Sequence, residues 1–176
     1  MNSKLPRNTD FSFESENPVL HDKILNAVKS AFKELNKITK INLSSKDYSI
    51  VYFSNSKLGG YVWPERYPNK IFINSVLFGK NVNSYLNEIV PHEVCHIFQE
   101  KMVIETHHGE TWKYLMRSIG LQPRVCHNLD TKGVTKTFKY ICSCKKHFVS
   151  TVLHKRMSAG NRYYCRECKK YLVFLG

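Results

Sequence analysis

The chain has 176 residues, 42% of them hydrophobic, with 27 Lys+Arg against 14 Asp+Glu and a formal net charge of +13. That length buries one ordinary core with a small appendage. No stretch reaches the ~18 consecutive apolar residues a membrane span needs, and the polar start, MNSKLPRNTDFSFESENPV, holds no run fit for a signal peptide. A soluble, cytoplasmic protein without a membrane partner is expected, in which the six cysteines are free or metal-bound rather than disulfide-bonded.

Residues 1–17 read as a flexible arm. From Pro18 to about Lys40, Leu20, Ile24, Val28, Phe32, Leu35 and Ile38 recur every three or four positions, which predicts an amphipathic helix. The β-branched and aromatic run YSIVYFSN (48–55) predicts a strand. Gly59-Gly60 then marks a turn or bulge, YVW (61–63) a short strand, 64–69 a loop, and KIFIN (70–74) another strand. Asn83 or Ser84 is placed to cap a helix running to about Met102, with Pro91 loosening the turn before it. A last core helix spans about Glu110 to Ile119, with Trp112, Leu115, Met116 and Ile119 on one face and Gly120 as its C-terminal cap. Beyond Pro123 the pattern changes to short β runs, 134–141, 147–153 and 170–175, with four cysteines among them.

The second long helix carries VPHEVCHIFQE (90–100). Positions i and i+4 share a helix face, so His92 and His96 are able to aim their imidazoles at one point, with Glu93 nearby. Zinc hydrolysis needs that set: two neutral nitrogens to hold a metal and a carboxylate to take a proton from water. Glu105, His107, His108 and Glu110 are the downstream candidates for a third ligand. Cys95 sits about 100° around the helix from His96 and reads as a small core residue, and Cys126 is read in the same way.

Farther on, YICSCKKH and YYCRECKKY present Cys142, Cys144, Cys165 and Cys168 as a C-x-C…C-x-x-C set. Four thiolates close a tetrahedral structural zinc site, which is able to hold a piece too small for its own core. The short first pair leaves His147 as an alternative ligand. Residues 131–176 hold 11 Lys+Arg against one acidic residue, Glu167, interleaved with Phe and Tyr. Cations follow phosphates and exposed rings stack on unpaired bases, so DNA is the expected partner, with Lys145, Lys146, Lys155 and Arg156 as candidate contacts.

THHGETWKYLMRSIG (106–120), a His-Gly followed by a Trp-bearing helix a dozen residues after HExxH, resembles the SprT-like zinc metalloprotease family of the bacterial type, related to eukaryotic Spartan. The likeness runs from about residue 18 through VPHEVCH, HHGETW and GLQPRVCH to the cysteine-bearing C-terminus. It implies an α+β fold: a zincin-like core of helices on a small antiparallel sheet over 18–130, then a basic zinc ribbon over 131–176. His92, His96 and His108, the last directly preceding the glycine, are the implied ligands of a catalytic zinc; Glu93 is the general base. A second, structural zinc belongs to the cysteines. Proteins bound or crosslinked to DNA are the implied substrates. Tyr61, Tyr114, Arg124 and His127 remain open as oxyanion donors. The rival readings are a non-catalytic nucleic-acid-binding zinc ribbon protein acting in transcription, and a general peptidase whose basic tail is incidental.

Overall fold

The computed structural model describes residues 13–54, 56–63, 69–102 and 107–176. The expected arm over 1–12, the loop over 64–68 and Glu105 fall outside the described residues. The chain divides into two compact units, Met1–Asp130 and Thr131–Gly176. Both mix helix with a small sheet, so the chain is α+β.

The first unit opens with a short helix, α1 (Phe13–Glu16), where the sequence predicts arm. Phe13 is buried, its ring 4.4 Å from that of Tyr52 and 6.1 Å from that of Phe78. Burying one such side chain contributes about 1.5–3 kcal/mol, enough to dock a single helical turn. Helix α2 (Pro18–Thr39) follows, with the proline in its first turn, where no N–H is missed. Its buried positions Ile24, Val28, Ala31, Phe32 and Leu35 form one stripe, and Lys40 ends it in the left-handed region at φ 59°. That stripe meets helix α5 (Val90–Met102), where the Phe32 and Phe98 rings meet edge to face at 5.5 Å.

The sheet beside these helices holds β1 (Tyr48–Phe53), β2 (Gly60–Trp63) and β3 (Asn69–Asn74) in the order β1-β3-β2. It is mixed, which corrects the expected antiparallel sheet: β3 is antiparallel to β2 but parallel to β1. A chain that reverses twice runs its third strand in the direction of its first, and here the third strand lies between the other two. The reason is burial. Ile71, Phe72 and Ile73 are all essentially inaccessible, the pattern of a strand covered on both faces, whereas β2 begins with a glycine and takes the edge.

Asn74 then caps helix α3 (Ser75–Lys80), its Oδ1 accepting from the Leu77 N–H at 3.0 Å. The helix expected from Asn83 or Ser84 starts slightly earlier as α4 (Val82–Ser84), widens into a π-helical turn over Tyr85–Ile89 and continues as α5. Pro91 has no N–H to give, and its ring crowds the carbonyl four residues back. The wider turn answers this by sending the Val90 N–H to the Tyr85 carbonyl. Helix α6 (Glu110–Ser118) buries Trp112, Leu115 and Met116 and stops just before Gly120 at φ 78°.

In the second unit β4 (Thr137–Ile141), β5 (Lys146–Ser150) and β6 (Val173–Phe174) form an antiparallel sheet in the order β5-β4-β6. The β run expected over 147–153 is corrected: it ends at Ser150, whose hydroxyl accepts from the Leu153 N–H and caps helix α7 (Thr151–Ser158). Local capping outweighs the β-branched Thr151 and Val152 here. No helix among the described residues is long and apolar enough to cross a membrane.

Candidate metal centre

Helix α5 does what the i, i+4 spacing predicts, bringing His92 and His96 to one face. His108, just ahead of α6, reaches the same point, with His107 beside it in the left-handed region at φ 64°. His108 Nε2 lies 3.0 Å from His92 Nε2 and 3.3 Å from His96 Nε2. Zn–N bonds of about 2.0–2.1 Å in a tetrahedron set nitrogens roughly 3.3–3.4 Å apart, so the trio fits such an ion. Burial, followed by its neighbours His96 and His108, pushes His92 down to about 3, and burial pushes His96 down to about 4. His108 is also lowered, chiefly by burial. All three imidazoles are therefore neutral near pH 7, and neutral imidazole is the form that ligates.

Glu93 follows His92 on the helix and is 5% exposed, with burial pushing its carboxyl up to about 8. A dication among the three histidines would pull it back toward the carboxylate. The strand on its other side is bare at the point of closest approach. A Cβ on Gly60 would lie 2.8 Å from the Phe72 carbonyl oxygen and 3.1 Å from Glu93 Oε1. Glycine is the residue that lets backbone come this near. Glu93 and the trio open on a cleft of about 1190 Å³ whose wall includes Leu58, Ile89, Met116, Leu121 and Val125.

The oxyanion candidates separate. Tyr61 lines the cleft, but its ring stacks on Phe72 at 4.3 Å, and strand alternation turns it from the face that Gly60 presents to Glu93. His127 commits both ring nitrogens, Nε2 to the Lys57 carbonyl at 2.9 Å and Nδ1 to the Leu129 N–H at 3.3 Å. Tyr114 is exposed on α6, outside the described cleft wall. Arg124 combines an exposed side chain with a place in that wall.

In the second unit, ligand atoms of Cys142, Cys144, Cys165 and Cys168 all lie within 4.8 Å of one another. Two tight turns make this possible: the Cys142 N–H reaches the Lys145 carbonyl at 3.1 Å, and the Lys169 N–H reaches the Cys165 carbonyl at 3.0 Å. The sulfurs of Cys142 and Cys144 are 3.4 Å apart and those of Cys144 and Cys165 3.7 Å apart. Zn–S bonds of about 2.3 Å imply roughly 3.8 Å, so a metal fits here too. A backbone hydrogen bond from Lys170 holds Cys168 down to about 6; backbone bonds from Cys168 and Glu167 lower Cys165. The hydrogen bond that Cys144 shares with Cys142 pushes it up to about 12. His147 stands outside the four-sulfur group, its Nε2 3.1 Å from Cys142 Sγ. Cys95 is fully buried, as the sequence predicts, whereas Cys126 is exposed in the cleft wall rather than part of the core.

Among the DNA-contact candidates, Lys146, Lys155 and Arg156 are exposed, while Lys145 pairs with Glu167. The aromatics split: Tyr140 is buried and Phe138 stacks on His154 at 3.6 Å, whereas Phe148, Tyr164 and Tyr171 stand exposed.

Comparison with known proteins gives the family. The family model described as SprT-like family matches residues 28–132. The chain belongs to the SprT-like family. It is 33% identical over 138 residues to Protein SprT of Salmonella arizonae, covering 76% of this chain and 82% of that one. Protein SprT of Vibrio atlanticus is 35% identical over 112 residues, covering 61% of this chain and 68% of the relative. For Protein SprT of Pseudomonas paraeruginosa the figures are 37% over 115 residues, 61% and 70%. No solved structure matches at a significant level.

Around the histidines of this SprT-like chain stand residues whose part in the site the sequence does not show. Trp112 is fully buried, its ring edge to face with His92 and His108 and stacked on His96 at 5.5 Å, while its Nε1–H donates to the His92 carbonyl at 3.3 Å. Its helical spacing marks it as core, and it is the floor of the trio as well. The Tyr85 hydroxyl donates to the Gly59 carbonyl and accepts from the Asn74 N–H at 2.7 Å, tying the π-turn to the strand that faces Glu93. Gln99 accepts from His96 Nδ1 at 3.2 Å.

Proposed function

We propose that this chain is a zinc-dependent peptidase of the zincin type that acts in the cytoplasm on proteins bound or crosslinked to DNA. The observation that carries the reading is the convergence of three imidazoles beside a buried glutamate in an open cleft. His92, His96 and His108 would hold the catalytic zinc, which supplies a Lewis acid that makes water acidic and steadies negative charge on a peptide oxygen. Glu93, held between α5 and the Gly60 backbone, takes a proton from the attacking water on a carboxylate oxygen and returns it to the leaving amine nitrogen. The apolar cleft wall receives substrate side chains and limits competing water. Arg124, exposed in the cleft wall, would donate to the developing oxyanion.

Cys142, Cys144, Cys165 and Cys168 would hold a structural zinc that fixes the basic second unit. With Glu167 already engaged by Lys145, the unit has no other acidic residue to offset its remaining cations. DNA binding through about 4–6 phosphates gives a log–log salt slope of roughly −3 to −5. Replacing Lys146, Lys155 and Arg156 together should flatten that slope by up to about 3 and weaken cleavage of a DNA-bound protein, while leaving cleavage of a small free peptide nearly unchanged. A salt titration of duplex and single-stranded DNA binding, run beside both cleavage assays, checks this. Wild-type slope and affinity in the triple variant would remove DNA from the proposal and leave a general peptidase.

A further inference from the structure

Gln99 lies one helical turn after His96 on α5 and is only 2% exposed, although it reaches the wall of the cleft. Its Oε1 is 3.2 Å from His96 Nδ1, and the other nitrogen of that ring, Nε2, is the one 3.3 Å from His108 Nε2. A neutral imidazole carries one proton and one lone pair, and an amide carbonyl oxygen accepts only. The proton of His96 therefore sits on Nδ1, and the lone pair faces the other histidines. Stacking on Trp112, with the rings 18° from parallel, holds the plane of His96 but not which way round the ring lies in it. A half-turn about Cβ–Cγ would keep the stack and carry both nitrogens to other places. The hydrogen bond to Gln99 opposes that half-turn, because it is lost when Nδ1 swings away.

We infer that Gln99 is a positioning residue for His96: its carbonyl keeps the ring proton on Nδ1 and the ring in one orientation, so that Nε2 is the atom offered to a metal ion. The inference rests on the reading that His92, His96 and His108 bind zinc. Gln99 touches no reacting atom in this account and acts through His96 alone. Outer partners of ligating histidines are typically worth 10–100-fold in metal affinity. Gln99→Leu, which keeps the size but removes the acceptor, should weaken zinc binding at the trio by about that factor. Gln99→Glu, which keeps an acceptor, should bind as tightly as wild type or more so.

The test uses the full chain after mild chelation that empties the three-histidine site and leaves the cysteine site loaded. Zinc is titrated back against a competing chelator for wild type and both variants, with circular dichroism as the check on folding. In parallel, nitrogen-15 NMR of the zinc-loaded wild type should show His96 with zinc at Nε2 and a slowly exchanging proton at Nδ1; this reading does not depend on any variant folding. Equal zinc affinity in wild type and Gln99→Leu, or a wild-type His96 that binds zinc through Nδ1, would overturn the inference while leaving the zinc site in place. A wild-type trio that takes up no zinc at all would overturn the metal reading beneath it.

Discussion

Glu93→Gln should abolish peptide hydrolysis, by about 10²–10⁴-fold or more, while zinc content stays at the wild-type level. The substitution keeps the shape of the side chain and removes its capacity to take a proton. Glu93 points into the cleft beside the histidines but is not one of the three residues whose ligand atoms cluster. The amide has the shape of the carboxyl and so keeps the close approach to Gly60, where an added Cβ would lie 3.1 Å from Glu93 Oε1. Folding should therefore be retained; burying a neutral amide instead of a carboxyl that burial already pushes toward protonation asks little of the core. Zinc analysis and a peptide cleavage assay on the same sample check this. Residual activity near wild type would assign the proton transfer to another group.

Cys165→Ser should unfold the second unit and leave the first intact. The described apolar core of that unit consists of little more than Val134, Tyr140 and Val149, with Cys142 and Cys165 buried beside them. So few buried side chains are a smaller core than a unit of this size needs to fold without a metal or disulfide. Structural zinc in small sites contributes on the order of 10–16 kcal/mol to folding. A serine oxygen in place of one thiolate forfeits much of that. Loss of one zinc, collapse of amide dispersion for residues 131–176 and loss of DNA affinity are the expected readings, with free-peptide cleavage preserved. Unchanged dispersion without the zinc would mean that the unit folds on its side chains alone.

The sequence makes the helix-borne parts of the site legible, because a helix turns spacing directly into geometry: His92 and His96 share a face for no reason beyond their separation. His108 is less local. It lies outside the helix that carries the other two, and the HHGETW resemblance, not periodicity, points to it. The cysteine pairs are legible because tight turns bring together residues two or three apart, although facing the two pairs across the unit is a tertiary event. What stayed hidden is non-local or ambiguous in pattern. The position of β3 between β1 and β2 depends on which strand buries both faces, and short apolar runs carry no order. Gln99 reads as one more polar residue near a helix edge until its acceptor is seen against His96. Gly60 reads as a turn, whereas its structural use is the close approach to Glu93. Thr151 and Val152 favour strands and so hide helix α7, although Ser150 is a capping residue at its start and Lys155 and Arg156 stand in its last turn.

The zinc content of the freshly purified, unchelated chain, compared with that of His108→Ala, tests the central claim most directly. Two ions per chain are expected for wild type and one for His108→Ala, with the remaining ion resistant to chelators and peptide cleavage lost; His107→Ala should keep both ions. A single ion in the wild type, or two in His108→Ala with loss to one in His107→Ala, would contradict the assignment of His92, His96 and His108 as the catalytic metal centre.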